Sequence, residues 1–135
     1  MSLMPIYTVT TARGTLDRNT KAALAAEVTR IHSEVNHVPS TYVNVVFSEL
    51  DPDNVYTDAT PARPLIVNGW VRSGHPDDET GQLVRQVAAA ATQVTGIPAE
   101  RVLVVIGNSP ARFAIEGGRV LPEPGHELEW LQENA

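Results

Sequence analysis

Hydrophobic residues recur along this chain in two alternating rhythms. Residues 6–11 form a β-rich run directly after Pro5. The spacing then lengthens. Leu24, Val28, Ile31 and Val35 fall on one face of a helix that Asp17 can cap and that runs to about Asn36. Residues 42–49 return to strand composition, and Asp51-Pro52-Asp53-Asn54 marks a turn. Residues 56–64 read as a loop or short edge segment, and 65–71 as the next strand. Leu83, Val87, Ala90 and Val94 line a second helix. Pro76 suits its first turn, Asp77, Asp78 and Glu79 complement its dipole, and Gly96 ends it. Residues 101–106 form a closing strand. Phe113 to Leu121 predicts a hairpin turning at Gly117-Gly118, and the short amphipathic end that follows predicts a packing element.

These elements repeat with a shift of 59 residues. Pro5-Ile6 matches Pro64-Leu65, Arg13 matches Arg72, and Leu24 and Val28 match Leu83 and Val87. Val38-Pro39 matches Ile97-Pro98, and Val43, Val45 and Val46 match Val102, Val104 and Val105. The expected fold is α+β. Two fused β-α-β units, residues 5–50 and 64–110, form a four-stranded sheet with both helices on one face. A hairpin and tail over 111–135 complete a single domain spanning 5–135. The sheet face without helices is rich in Val and Ile, so oligomerisation is expected to cover it.

Composition narrows the function. The 135-residue chain lacks cysteine, which removes disulfides and thiolate chemistry. A net charge of -6 without a basic cluster argues against a nucleic-acid surface. No apolar run reaches the roughly 20 residues of a membrane span, and no signal peptide precedes the first strand, so a cytoplasmic protein is expected. The histidines at 32, 37, 75 and 126 lack ligand spacing, and no glycine-rich phosphate loop occurs. Neither a metal nor an organic cofactor is expected.

The candidate chemistry begins at the amino end. Met1-Ser2-Leu3 reads as a remnant of expression and Met4 as the natural start. An initiator Met before a small residue is ordinarily removed, which would free the secondary amine of Pro5. An unperturbed α-amino group titrates at about 7.7–8.0, and desolvation lowers that value. A buried Pro5 can therefore serve as a general base near neutral pH. Equally, Pro is tolerated at the first residue of a strand for purely structural reasons.

A Pro-initiated strand, two fused units and a hairpin, together with Pro5-Ile6-Tyr7, Asn68-Gly69-Trp70-Val71-Arg72, Gly81-Gln82-Leu83 and Gly118 to Glu127, resemble the tautomerase superfamily. The nearest likeness is to the cis-3-chloroacrylic acid dehalogenase group. The resemblance implies a tautomerase/MIF-like homotrimer with an active site at each amino-terminal proline. It makes Pro5 the catalytic proline and His32 a helix histidine that helps bind the substrate carboxylate. It makes Arg72 a carboxylate-binding arginine, and Glu116 the hairpin glutamate that activates or positions water. Two positions depart from the dehalogenase pattern. His75 stands where a second arginine is expected, and Val105 where a catalytic tyrosine is expected. Losing a forked permanent cation and a phenolic donor weakens the case for dehalogenation.

Each residue also has an ordinary explanation. Arg72 can be a sheet-end charge like Arg13, Glu116 a solvent-facing hairpin residue, and His75 a helix cap or a weaker anion ligand. Arg119 can form an intersubunit ion pair or line the pocket, while Trp70 and Phe113 read as packing. The expected function is a cofactor-independent keto-enol tautomerase for a small 2-oxo or enol carboxylic acid. The alternatives are a hydratase of haloacrylic or acetylenic acids and a catalytically silent trimeric carboxylate-binding module.

Overall fold

The structure is a computed structural model that describes residues 5–133; the leader and start assigned to Met1–Met4 lie outside the described residues. The chain runs β1 (Ile6–Ala12), α1 (Arg18–Asn36), β2 (Asn44–Leu50), β3 (Tyr56–Thr57), β4 (Thr60–Pro61) and β5 (Leu65–Arg72). It continues through α2 (Asp77–Thr95), β6 (Val102–Ser109), β7 (Ile115–Glu116), β8 (Arg119–Val120) and α3 (Glu127–Glu133). Strands β2-β1-β5-β6 form one sheet. Pairing is parallel within each β-α-β unit and antiparallel between β1 and β5 at the centre. The repeat is retained in three dimensions, since α1 and α2 begin and end 59 positions apart.

Local chemistry sets the helix ends. The Asp17 carboxylate accepts from the Thr20 backbone N–H at 2.7 Å and caps α1. Pro76 stands one position earlier than expected, just before the first helical residue, where it offers no side-chain cap. Gly96 ends α2 at φ 73°. That left-handed geometry suits a residue without Cβ. The predicted hairpin is shorter than expected, with two residues on each side of Gly117-Gly118. Both glycines have positive φ, as a tight two-residue turn requires.

Alternation along the strands separates the two sheet faces. Tyr7, Val9, Leu65, Val67 and Val71 point toward the helices and meet Leu24, Val28, Ile31, Leu83 and Val87 in the main core. On the other face Val46, Leu103 and Val105 remain about half exposed, at 51, 54 and 48%. A second, smaller cluster joins Ala111, Leu121 and Trp130, with Tyr42 and Trp70 packed against it. The expectation that Phe113 packs is not met within the chain. It is 71% exposed, with the Arg112 guanidinium 4.7 Å from its ring centroid.

One close approach positions the site. Gly69 pairs with Tyr7 across β5 and β1. A Cβ there would fall 2.7 Å from Tyr7 Cε1 and 3.2 Å from Ile106 Cγ1. The missing side chain gives the Tyr7 ring its place in the core. Gly69→Ala is expected to lower folding stability by about 1–3 kcal/mol through overpacking, measured by urea unfolding. An unchanged midpoint would contradict the steric account.

Candidate active site

Pro5 is buried at the entry to β1. Its carbonyl accepts from the backbone N–H of Asn44 at 3.2 Å and from Asn44 Nδ2 at 3.4 Å, which ties the amino end to β2. Pro5 lines a cavity of about 10 Å³ together with His32, Asn36, Val38, Val71, Arg72 and His75. That volume suits roughly one water molecule. An adjoining cleft of about 410 Å³ shares Asn36 and His75 with it and is also lined by Glu79, Gly125 and Glu127. A depression of about 580 Å³ along α1 is larger still, but the charged groups in its wall, Arg30 and Glu34, are exposed and paired with each other at 2.9 Å. Convergent polar groups identify the smaller cavity as the candidate site, whatever its size.

His32 projects from the buried face of α1. Its Nδ1 lies 2.7 Å from the Tyr7 hydroxyl, and the two rings meet edge to face at 5.5 Å. Its Nε2 lies 3.4 Å from Asn36 Nδ2. Burial first, then the neighbouring His75 and Arg72, push the imidazole down to about 4 from its ordinary 6.5. His32 is therefore neutral near pH 7 and offers hydrogen bonds without a charge. Burial raises the Tyr7 phenol, which stays protonated.

Arg72 ends β5 and is 3% exposed. Its guanidinium donates to the Pro122 carbonyl at 2.7 Å and to Glu127 Oε1 at 3.3 Å. Glu127 is fixed in turn by the Gly125 backbone N–H, 3.0 and 2.8 Å from its two oxygens. Burial works to raise the Glu127 carboxyl. The backbone donors and Arg72 outweigh burial and hold it below the usual carboxylate range. The Trp130 anchor sets α3 in place, with its indole N–H donating to the Val120 carbonyl at 2.8 Å. Arg119 packs 4.2 Å from the Trp130 ring centroid and donates to the Trp130 carbonyl, so within the chain it braces the tail.

His75 lines the cavity, and its Nδ1 stands 2.7 Å from Glu79 Oε2 on α2, a contact that becomes an ion pair when the ring is protonated. Glu116 lies on β7, half-buried, and does not line the cavity of this chain. Val105 faces the exposed side of the sheet. The structure thus brings Pro5, His32, Arg72 and His75 together and leaves Glu116 apart. Sequence reasoning passed over Glu127, Asn36 and the Tyr7 hydroxyl. The first lies inside the distinctive Gly118–Glu127 segment, which is the one signal that pointed toward it. Among the described residues no group of three or more His, Asp or Glu could hold a metal ion. No helix among them is long and apolar enough to cross a membrane.

Comparison with known proteins places the chain in a family. The family model Tautomerase_3, described as "Putative oxalocrotonate tautomerase enzyme", matches residues 4–135. The chain belongs to the tautomerase superfamily, within the family this model defines. Among solved structures, N1, a member of the cis-3-chloroacrylic acid dehalogenase family, is 29% identical over 96% of each chain, with a TM-score of 0.88. Native Ps01740 is 33% identical over 82% of this chain and 99% of its own, with a TM-score of 0.80. A fused 4-OT that forms an asymmetric trimer shares the fold at 20% identity, over 86% of this chain and 95% of its own, with a TM-score of 0.81. No curated protein matches the chain at a significant level.

The His32 shift makes stability depend on pH. Folding depresses its pKa, so the unfolded chain takes up the proton first as pH falls. The folded state is expected to lose roughly 3 kcal/mol between pH 6.5 and pH 4 from this group. Urea unfolding across that range should show a shallower decline in His32→Gln than in the parent chain. Identical slopes would contradict the assignment.

Proposed function

We propose that this protein is a cofactor-independent tautomerase of a small 2-oxo or enol carboxylic acid, with Pro5 as its general base. One observation carries the reading: Pro5 shares a buried cavity with Arg72, His32 and His75. The proposal requires Pro5 to be the first residue, because an acylated proline nitrogen has no basicity. Its ring nitrogen takes the enol hydroxyl proton. The C2–O electrons close to a carbonyl, and the C2=C3 pair takes the proton back from the ammonium at C3. Arg72 binds the substrate carboxylate and stabilises negative charge as it develops. His75 supplies a second, weaker anion contact. His32, neutral and bonded to Tyr7 and Asn36, contributes orientation. The exposed apolar face supports a homotrimer, in which Glu116 of the hairpin would reach a site on a neighbouring copy and orient water or a substrate hydroxyl.

Similarity to N1 over nearly the whole chain supports a second reading, a hydratase of cis-3-haloacrylic or propynoic acids. There the protonated Pro5 would deliver a proton to carbon while water adds. His75 in place of an arginine and Val105 in place of a tyrosine weigh against it.

One assay separates the readings. The chain beginning at Pro5 is offered phenylpyruvate enol, a cis-3-haloacrylate and propynoate. Rapid ketonisation is expected, falling by about 10²–10⁴ in the chain that retains Met4, where the Pro5 nitrogen is an amide. Halide release without ketonisation would select the hydratase. Inertness toward all three, with carboxylate still bound, would select a silent binding module.

A further inference from the structure

Asn36 is the final residue of α1 and is 7% exposed. It lines both the Pro5 cavity and the adjoining cleft. Its Nδ2 faces His32 Nε2 at 3.4 Å, while its Oδ1 is buried without a hydrogen-bond partner among the described residues. A buried polar atom left alone costs about 1–3 kcal/mol, so this atom marks a place where a ligand or water completes the site.

The polarity of the chain of contacts decides what that ligand offers. The Tyr7 hydroxyl is wholly buried, and its one partner among the described residues is His32 Nδ1. A buried hydroxyl donates where it can, so its proton goes to Nδ1 and the imidazole proton resides on Nε2. Nε2–H then requires an acceptor. A half-turn of the Asn36 carboxamide brings Oδ1 to it and turns the NH2 group to the cavity. Every member is then satisfied except the last, whose N–H faces the space beside Pro5.

We propose that Asn36 is a substrate-contacting residue whose carboxamide N–H donates to the C2 oxygen of the 2-oxo or enol acid. The inference rests on the tautomerase reading and deepens it. Arg72 holds the carboxylate, and Asn36 holds the neighbouring oxygen on which charge gathers as Pro5 removes its proton. Tyr7 and His32 act through Asn36 as positioning residues. The group selects acids that carry oxygen at C2 over acids with a methylene there.

The test compares phenylpyruvate in its keto form with 3-phenylpropanoate, which lacks the C2 oxygen, by calorimetric titration of the chain beginning at Pro5. The parent chain is expected to favour phenylpyruvate about tenfold, the worth of one net hydrogen bond. Asn36→Leu is expected to bring that ratio to about one while leaving 3-phenylpropanoate binding within about twofold. Asn36→Asp keeps the size and the acceptor for His32 but offers no N–H. Its added charge weakens both acids, and the ratio again falls to about one, so the ratio decides even if the Leu variant fails to fold. A preference that survives in either folded variant, or its absence from the parent chain, would overturn the role of Asn36. If neither acid binds the parent chain, the carboxylate site itself is refuted, and this inference with it. A parent chain that shows the tenfold preference, loses it in the variants and yet ketonises no enol would fault the catalytic reading while supporting the donor assigned to Asn36.

Discussion

A guanidinium withdrawn from water must be neutralised, and in this chain the tail supplies the counter-charge. Arg72 is nearly inaccessible, and Glu127 meets it from 55 residues further along. A buried cation without a partner would cost several kcal/mol, so the pair constrains everything that carries its two ends. The Gly125 N–H holds the carboxylate, Trp130 holds α3, and the Pro122 carbonyl takes a further donor of the guanidinium. The outcome is a fixed positive group at the end of β5, in the wall of the cavity that Pro5 lines.

The same economy of space runs through the neutral half of the site. Gly69 gives up a side chain so that the Tyr7 ring can lie between sheet and helix. The Tyr7 hydroxyl then reaches His32, and burial keeps that imidazole uncharged. A permanent cation and a neutral relay thus line one cavity that has Pro5 in its wall. Charge stays on the residue that can hold a carboxylate, and the residues that orient the ligand do not compete with it.

Much of the architecture was legible because it rests on repeated local patterns. Leu24, Val28 and Val35 announce α1, and the same spacing 59 residues later announces α2, with Gly96 closing it. Of the candidate site, Pro5 stood out by its place at a strand start, while Arg72, His32 and His75 were singled out only through the resemblance to the tautomerase superfamily. The rest depends on contacts that no local pattern encodes. Glu127 reads as one acid among several until the tail folds onto β5. Asn36 reads as the last residue of a helix until its carboxamide proves buried. Phe113 reads as packing, yet the short turn Ala111–Phe113 leaves it outward, on a surface that a single chain does not cover.

The central claim is that the Pro5 nitrogen is a base tuned by a dry cavity and a neighbouring cation. The most direct measurement is a ¹⁵N NMR titration of Pro5 in the chain that begins there. Desolvation and Arg72 both disfavour the ammonium, so its pKa should fall below the ordinary 7.7–8.0 of an α-amino group and rise toward it in Arg72→Gln. A pKa at or above the ordinary range, unmoved by that substitution, would contradict the account.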